Sequence, residues 1–178
     1  MRQIRLCGLG GQGMVVAGEI LAYAAFRQKK TVSLSSGYGS QVRGGITRSD
    51  LVIADGFIDF PMVTGIDFLI TMLQEAYQDS LPLVKGDGKI FLDSTLVKPL
   101  PASPVKCYGI PALDLAVREL KSEMAANIIL LAAADFIGNF VAEDALEESI
   151  RKKVSPRFVE LNLKAMRLGL DWARKAGV

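Results

Sequence analysis

Histidine is missing from the 178 residues altogether. No imidazole general base, Ser-His or Cys-His nucleophile pair can therefore be built from this chain. Cysteine is nearly missing as well. Cys7 and Cys107 are far apart in sequence and have no ligand-spaced neighbours, which excludes the usual zinc and iron–sulfur patterns. Each is expected to be a reduced, buried small residue, and the sequence offers no catalytic side chain and no metal ligand. A charge excess is also lacking: 21 Lys and Arg against 19 Asp and Glu give a net charge of +2. The overall field makes no case for nucleic acid or an acidic membrane, so any anion must be met locally. There is no basic segment leading into a long apolar run at the start, hence no secretory signal, and a cytoplasmic location is the expectation. No repeat, low-complexity tract or long linker divides the chain. Half of the residues are apolar, enough for one well-packed domain over residues 1–178.

What is present is an alternation of short strand-like runs with helical stretches. RQIRLCGL (2–9) reads as a first strand, and residues 14–26 as a helix that is apolar on nearly every face. KTVSLSS (30–36), DLVIAD (50–55), FLITML (68–73), KIFLDS (89–94) and VKCYGIP (105–111) read as further strands. EAYQDSLPLV (75–84) has helical spacing despite Pro82, and the polar segment from Ser35 to Arg48 reads as a loop. From residue 112 the pattern is helical throughout, in stretches 112–121, 123–140, 142–153 and 157–177. The apolar core of 123–140 is too short for a membrane span, and Asn127 and Asp135 interrupt it. The expected fold is α/β and Rossmann-like: a largely parallel sheet with helices on both faces and a helical C-terminal part.

Two glycine-rich segments carry the chemistry. Gly8, Gly10 and Gly13 fit G-x-G-x-x-G between a strand and a helix, with Gly11 as an extra glycine and Gln12 as the one long polar side chain. Such a turn lets backbone N–H groups and a helix N-terminus approach a phosphate; equally, the glycines can serve only to pack helix tightly against strand. A dinucleotide site also wants an acidic residue about 20 positions on, to hold the ribose. RQKKTVSLSS has none, although Lys29 and Lys30 would suit a phosphorylated ribose. In SSGYGSQVRGGITRSD, Gly37 and Gly39 bracket Tyr38, and Gly44 and Gly45 follow Arg43. This unhindered guanidinium suits bidentate recognition of phosphate or carboxylate, with Arg48 as a second cation. A solvated loop, a lone RGG fragment, and a loop that docks a partner chain through Tyr and Arg are the other readings.

Taken together, GLGGQG after a first strand and GYGSQVRGG later resemble the gamma subunit, or gamma domain, of the 2-oxoacid:ferredoxin (or flavodoxin) oxidoreductases. NIILLAAADFIG and ELNLKAMRLG look like the same family, so the resemblance covers essentially the whole chain. Ser40 and Gln41 stand where family members commonly carry proline and an acidic residue in YGPEVRGG, which affects loop rigidity more than identity. The resemblance implies a subunit of an enzyme that decarboxylates a 2-oxoacid oxidatively to acyl-CoA and passes electrons to ferredoxin. It implies alpha, beta and delta-type partner subunits, which would hold thiamine diphosphate and [4Fe-4S] clusters, and a chain that is inert alone. Gly8, Gly10, Gly11, Gln12, Gly13, Tyr38, Arg43, Gly44 and Gly45 are the candidate ligand-binding residues, with coenzyme A as the candidate ligand. A ligand-free scaffold subunit and, further off, an independent NAD(P)- or flavin-dependent oxidoreductase are the alternatives. Without its partners, the apolar surface would favour a homo-oligomer.

Overall fold

The computed structural model describes residues 1–38, 45–99 and 105–177. Six strands form one sheet in the order β2-β3-β1-β4-β5-β6: β1 (Arg2–Leu9), β2 (Thr31–Tyr38), β3 (Ile46–Ala54), β4 (Ile66–Thr71), β5 (Val84–Asp93) and β6 (Lys106–Ile110). β1, β4, β5 and β6 run parallel, whereas β3 is antiparallel to both β1 and β2. The sheet is therefore mostly parallel, but mixed. A β2–β3 hairpin has inserted β3 between the first two strands of the expected β-α-β unit.

The helices are α1 (Met14–Arg27), α2 (Gln74–Ser80), α3 (Ala112–Leu120), α4 (Ala126–Gly138), α5 (Glu143–Lys153) and α6 (Val159–Lys175). They cover the two faces of the sheet unequally. Ile4, Leu6, Leu51, Ile53, Ile70 and Phe91 point into a large core shared with α1 and α4, and α4 is itself covered by α3 and α6. This explains why α4 is apolar all round: sheet and helices enclose it on every side. On the other face Cys7, Leu69, Ile90 and Leu92 pack against the short α2, through Ala76 and Tyr77, and against Val97 and Val105 from the connection between β5 and β6. No helix among the described residues is long and apolar enough to cross a membrane.

Several boundaries differ from expectation for local reasons. β2 runs on through Gly37 and Tyr38, and β3 starts at Ile46, because cross-strand pairing continues to Gly37↔Arg48 and Tyr38↔Thr47. Much of the expected 35–48 loop is thus ladder, made from residues whose polarity hides a strand. The 75–84 helix breaks ahead of Pro82: α2 stops at Ser80, a 3-10 turn takes Leu81–Leu83, and β5 begins at Val84. A second 3-10 turn at Glu123–Ala125 precedes α4.

Near the sheet's second face, Arg5 and Asp50 form a two-pronged ion pair (Nε–Oδ1 2.7 Å, Nη2–Oδ2 2.9 Å) and are almost fully buried. Arg48 joins it more loosely, Nε to Asp50 Oδ2 at 3.3 Å, from an exposed position. The second cation expected at Arg48 is therefore already paired with a carboxylate.

Candidate functional site

The parallel strands end at the edge of the sheet where β1 runs into the glycine turn. Gly11 (φ 97°) and Gly13 (φ 74°) both occupy the left-handed region, and Gly13 is the residue that opens α1. At Gly13 there is a second constraint: a Cβ would lie 2.5 Å from Asn127 Nδ2. At Gly8 the reason is contact alone, since a Cβ would sit 2.6 Å from Gln12 Oε1 and 2.8 Å from Met14 Cγ.

Gln12 does not serve as a free amide donor. Its Oε1 accepts the Leu9 N–H at 2.6 Å and its Nε2 donates to the Met72 carbonyl at 3.4 Å, just past the end of β4. The one long polar side chain of the turn is thus used to close it. From the other side Asn127, buried in the first turn of α4, donates from Nδ2 to the Gly13 carbonyl at 2.9 Å. Asn127 thereby fixes the N-terminus of α4 against that of α1. Its signal in the sequence was a lone amide in an apolar helix, which marks a partner without saying which one.

The two glycine segments meet. Gly10 N–H donates to the Gly45 carbonyl at 3.0 Å, Thr47 Oγ1 donates to the Gly8 carbonyl at 3.2 Å, and Leu9 pairs with Ile46. Tyr38 closes β2 opposite Thr47. Arg43 and Gly44 lie outside the described residues. Among the described residues no acceptor takes the N–H of Gly11 or of Gly13, so both remain open to an anion beside the positive end of α1. Next to them a cavity of about 250 Å³ has apolar walls from Val16, Met124, Ile128, Phe158 and Leu161, and polar atoms from Lys153, Asn127 and Asn162.

Lys29 and Lys30 are at the opposite end of α1, past its C-terminus. Lys30 pairs with Asp55 and lines another cavity with Met1, Arg2 and Asn139. They cannot serve a ribose phosphate bound at the glycine turn, which removes the main support for an independent dinucleotide enzyme.

Burial pushes the Cys7 thiol up to about 11, so it is no nucleophile at neutral pH. Cys107 is on β6, separated from Cys7 on β1 by two intervening strands. No group of three Cys, Asp or Glu side chains among the described residues is placed to hold a metal ion. Asp93, near the same edge, is pushed up by burial and is used structurally, accepting N–H groups of Thr95 at 2.9 Å and Leu113 at 2.8 Å.

Comparison with known proteins identifies the family. Residues 3–172 match the family described as pyruvate ferredoxin/flavodoxin oxidoreductase. The subunit KorC of 2-oxoglutarate synthase from Methanocaldococcus jannaschii is 36% identical over 178 residues, covering 98% of this chain and 95% of that one. The keto/oxoacid ferredoxin oxidoreductase gamma subunit of Geobacter sulfurreducens superposes with a TM-score of 0.87 at 32% identity, over 98% of this chain and 99% of its own. The 2-oxoglutarate:ferredoxin oxidoreductase of Magnetococcus marinus, solved with 2-oxoglutarate, coenzyme A and succinyl-CoA, shares the fold: its TM-score is 0.87 at 23% identity, over 98% of this chain and 31% of that one. With a match over nearly its whole length, the chain belongs to the pyruvate ferredoxin/flavodoxin oxidoreductase family, as a gamma subunit of the 2-oxoacid:ferredoxin oxidoreductase complexes.

Proposed function

We propose that the 178 residues act as one gamma-type domain in a complex that converts 2-oxoglutarate and coenzyme A to succinyl-CoA and carbon dioxide, with two electrons passing to ferredoxin. The choice of oxoacid follows the KorC relative. Alpha, beta and delta-type subunits are the partners, in a cytoplasmic compartment. Thiamine diphosphate and [4Fe-4S] clusters on those partners would supply the decarboxylation and carry the electrons; with two cysteines this chain has too few thiolates for such a cluster. Its own contribution is recognition. Gly11 and Gly13 offer N–H groups, α1 offers its positive end, and Arg43 stands in sequence two residues before Gly45, which is tied to the turn. Coenzyme A carries phosphates that use such donors.

The observation that carries this reading is the Gly10–Gly45 hydrogen bond, which joins both glycine segments into one surface. One observation favours a ligand-free scaffold instead: Gln12 and Asn127 are already consumed within the fold. Steady-state kinetics of the assembled complex separates the two. Arg43→Ala should raise the KM for coenzyme A about tenfold or more, the loss of one charge-assisted contact, while the KM for 2-oxoglutarate stays unchanged. An unaltered coenzyme A KM in an intact complex would leave the scaffold role.

A further inference from the structure

The two edges of the sheet are built differently. β6 is five residues long, carries Lys106 and runs into Pro111, the usual protection against strand addition. β2 has eight residues, TVSLSSGY, with no charge, no proline and no break in its register against β3. No strand among the described residues covers its outer side. Beside it, between α1 and β2, lies a largely apolar groove of about 260 Å³, lined by Tyr23, Phe26, Val32 and Leu34 together with the charged Glu19 and Lys153. Phe26 is 65% exposed and Leu34 37%. An uncharged strand edge next to an apolar groove is the arrangement that receives another strand: backbone groups supply the pairing, and alternate side chains fill the groove.

We infer that β2 pairs antiparallel with β2 of a second copy of this chain, joining two sheets into one. The strand is complementary to itself. Around a two-fold axis perpendicular to the sheet at Leu34, each Leu34 meets its own counterpart, Val32 faces Ser36, Ser33 faces Ser35, and Thr31 faces Gly37. The helix-side apolar residues of each copy then extend over the groove of the other. Lys30 falls opposite Tyr38 at the far end of the opposing strand and is paired with Asp55, so no like charges face one another within the paired strands. The pairing rests on this chain's own edge and is independent of the oxoacid and of any coenzyme A contact.

Size-exclusion chromatography with light scattering on the isolated full-length chain tests it, together with three variants. The wild type should be a dimer at micromolar concentration. Leu34→Lys sets two ammonium groups face to face on the axis and should weaken association about a hundredfold or more, with an unchanged circular dichroism spectrum. Leu34→Cys should give a covalent dimer under oxidising conditions, whereas the wild type with Cys7 and Cys107, and Asp87→Cys at an exposed position of β5, should not. If Leu34→Lys does not fold, the Leu34→Cys cross-link decides. A monomeric wild type without that cross-link, or a dimer that a folded Leu34→Lys leaves intact, overturns the assignment.

Discussion

Asp135 is the residue whose ionisation matters most to this fold. It is 3% exposed near the end of α4, and its carboxylate accepts the N–H of Val141 at 3.0 Å, closing the turn into α5. Burial pushes its pKa up to about 7 from an ordinary 3.8, against the opposing pull of those backbone donors and of Arg2; Glu143 adds to the rise. Between these values the folded chain holds a proton that the unfolded chain has released. Stability is therefore greatest below about pH 4 as far as this group is concerned, falls as pH rises through the interval, and levels off above 7. The whole effect amounts to at most about 4 kcal/mol. Thermal melts of the wild type should show Tm declining from pH 5 to pH 8, and Asp135→Asn should flatten most of that decline. An equally steep profile in the variant would assign the dependence to other groups, Asp93 first among them. Arg5 and Asp50 show the opposite arrangement, a buried charge held by a buried counter-charge.

The helices and strands were legible in the sequence where burial imposes a period. β1, α1, β5 and the four C-terminal helical stretches follow from their apolar spacing, and the glycine turn from its residues alone. The antiparallel insertion of β3 was not legible, because a hairpin and a crossover place the same alternation of apolar residues on a strand. The site was legible as two segments; their junction at Gly10 and Gly45 depends on that insertion and so escaped with it. Asn127 and Gln12 were visible as polar residues, but a side chain that serves a ligand and one that serves a carbonyl look alike in sequence. At this scale the tightest contact is that of α6 on α4, where Gly169 lies directly against the Ile129 carbonyl and a Cβ there would stand 3.0 Å from that of Ala132. Backbone cannot yield as a flexible side chain would. Gly169→Ala should force the helices apart at a cost of about 1–3 kcal/mol, lowering Tm by about 2–12 °C. Differential scanning fluorimetry reads this directly, and an unchanged or raised Tm would mean that α6 slides without penalty.

The role proposed for the whole molecule is recognition. Purified alone, it should reduce no viologen dye in the presence of 2-oxoglutarate and coenzyme A, and adding the catalytic subunits anaerobically should restore reduction. Turnover by the isolated chain would refute the division of labour proposed above. The position of Asn127 bears also on how the molecule comes into being. A ribosome makes the glycine turn before β2, yet the side chain that pins its Gly13 carbonyl is made only after all six strands, and α6, which covers α4 together with α3, follows later still. A nascent chain can form the β2–β3 hairpin and lay α1 on it early, but the part of that face over β4 and β5 stays bare until α4 has emerged. The turn is therefore completed late: a chain cut short after β6 would carry its glycines and the Gln12 that closes it, yet lack Asn127, the side chain that pins Gly13.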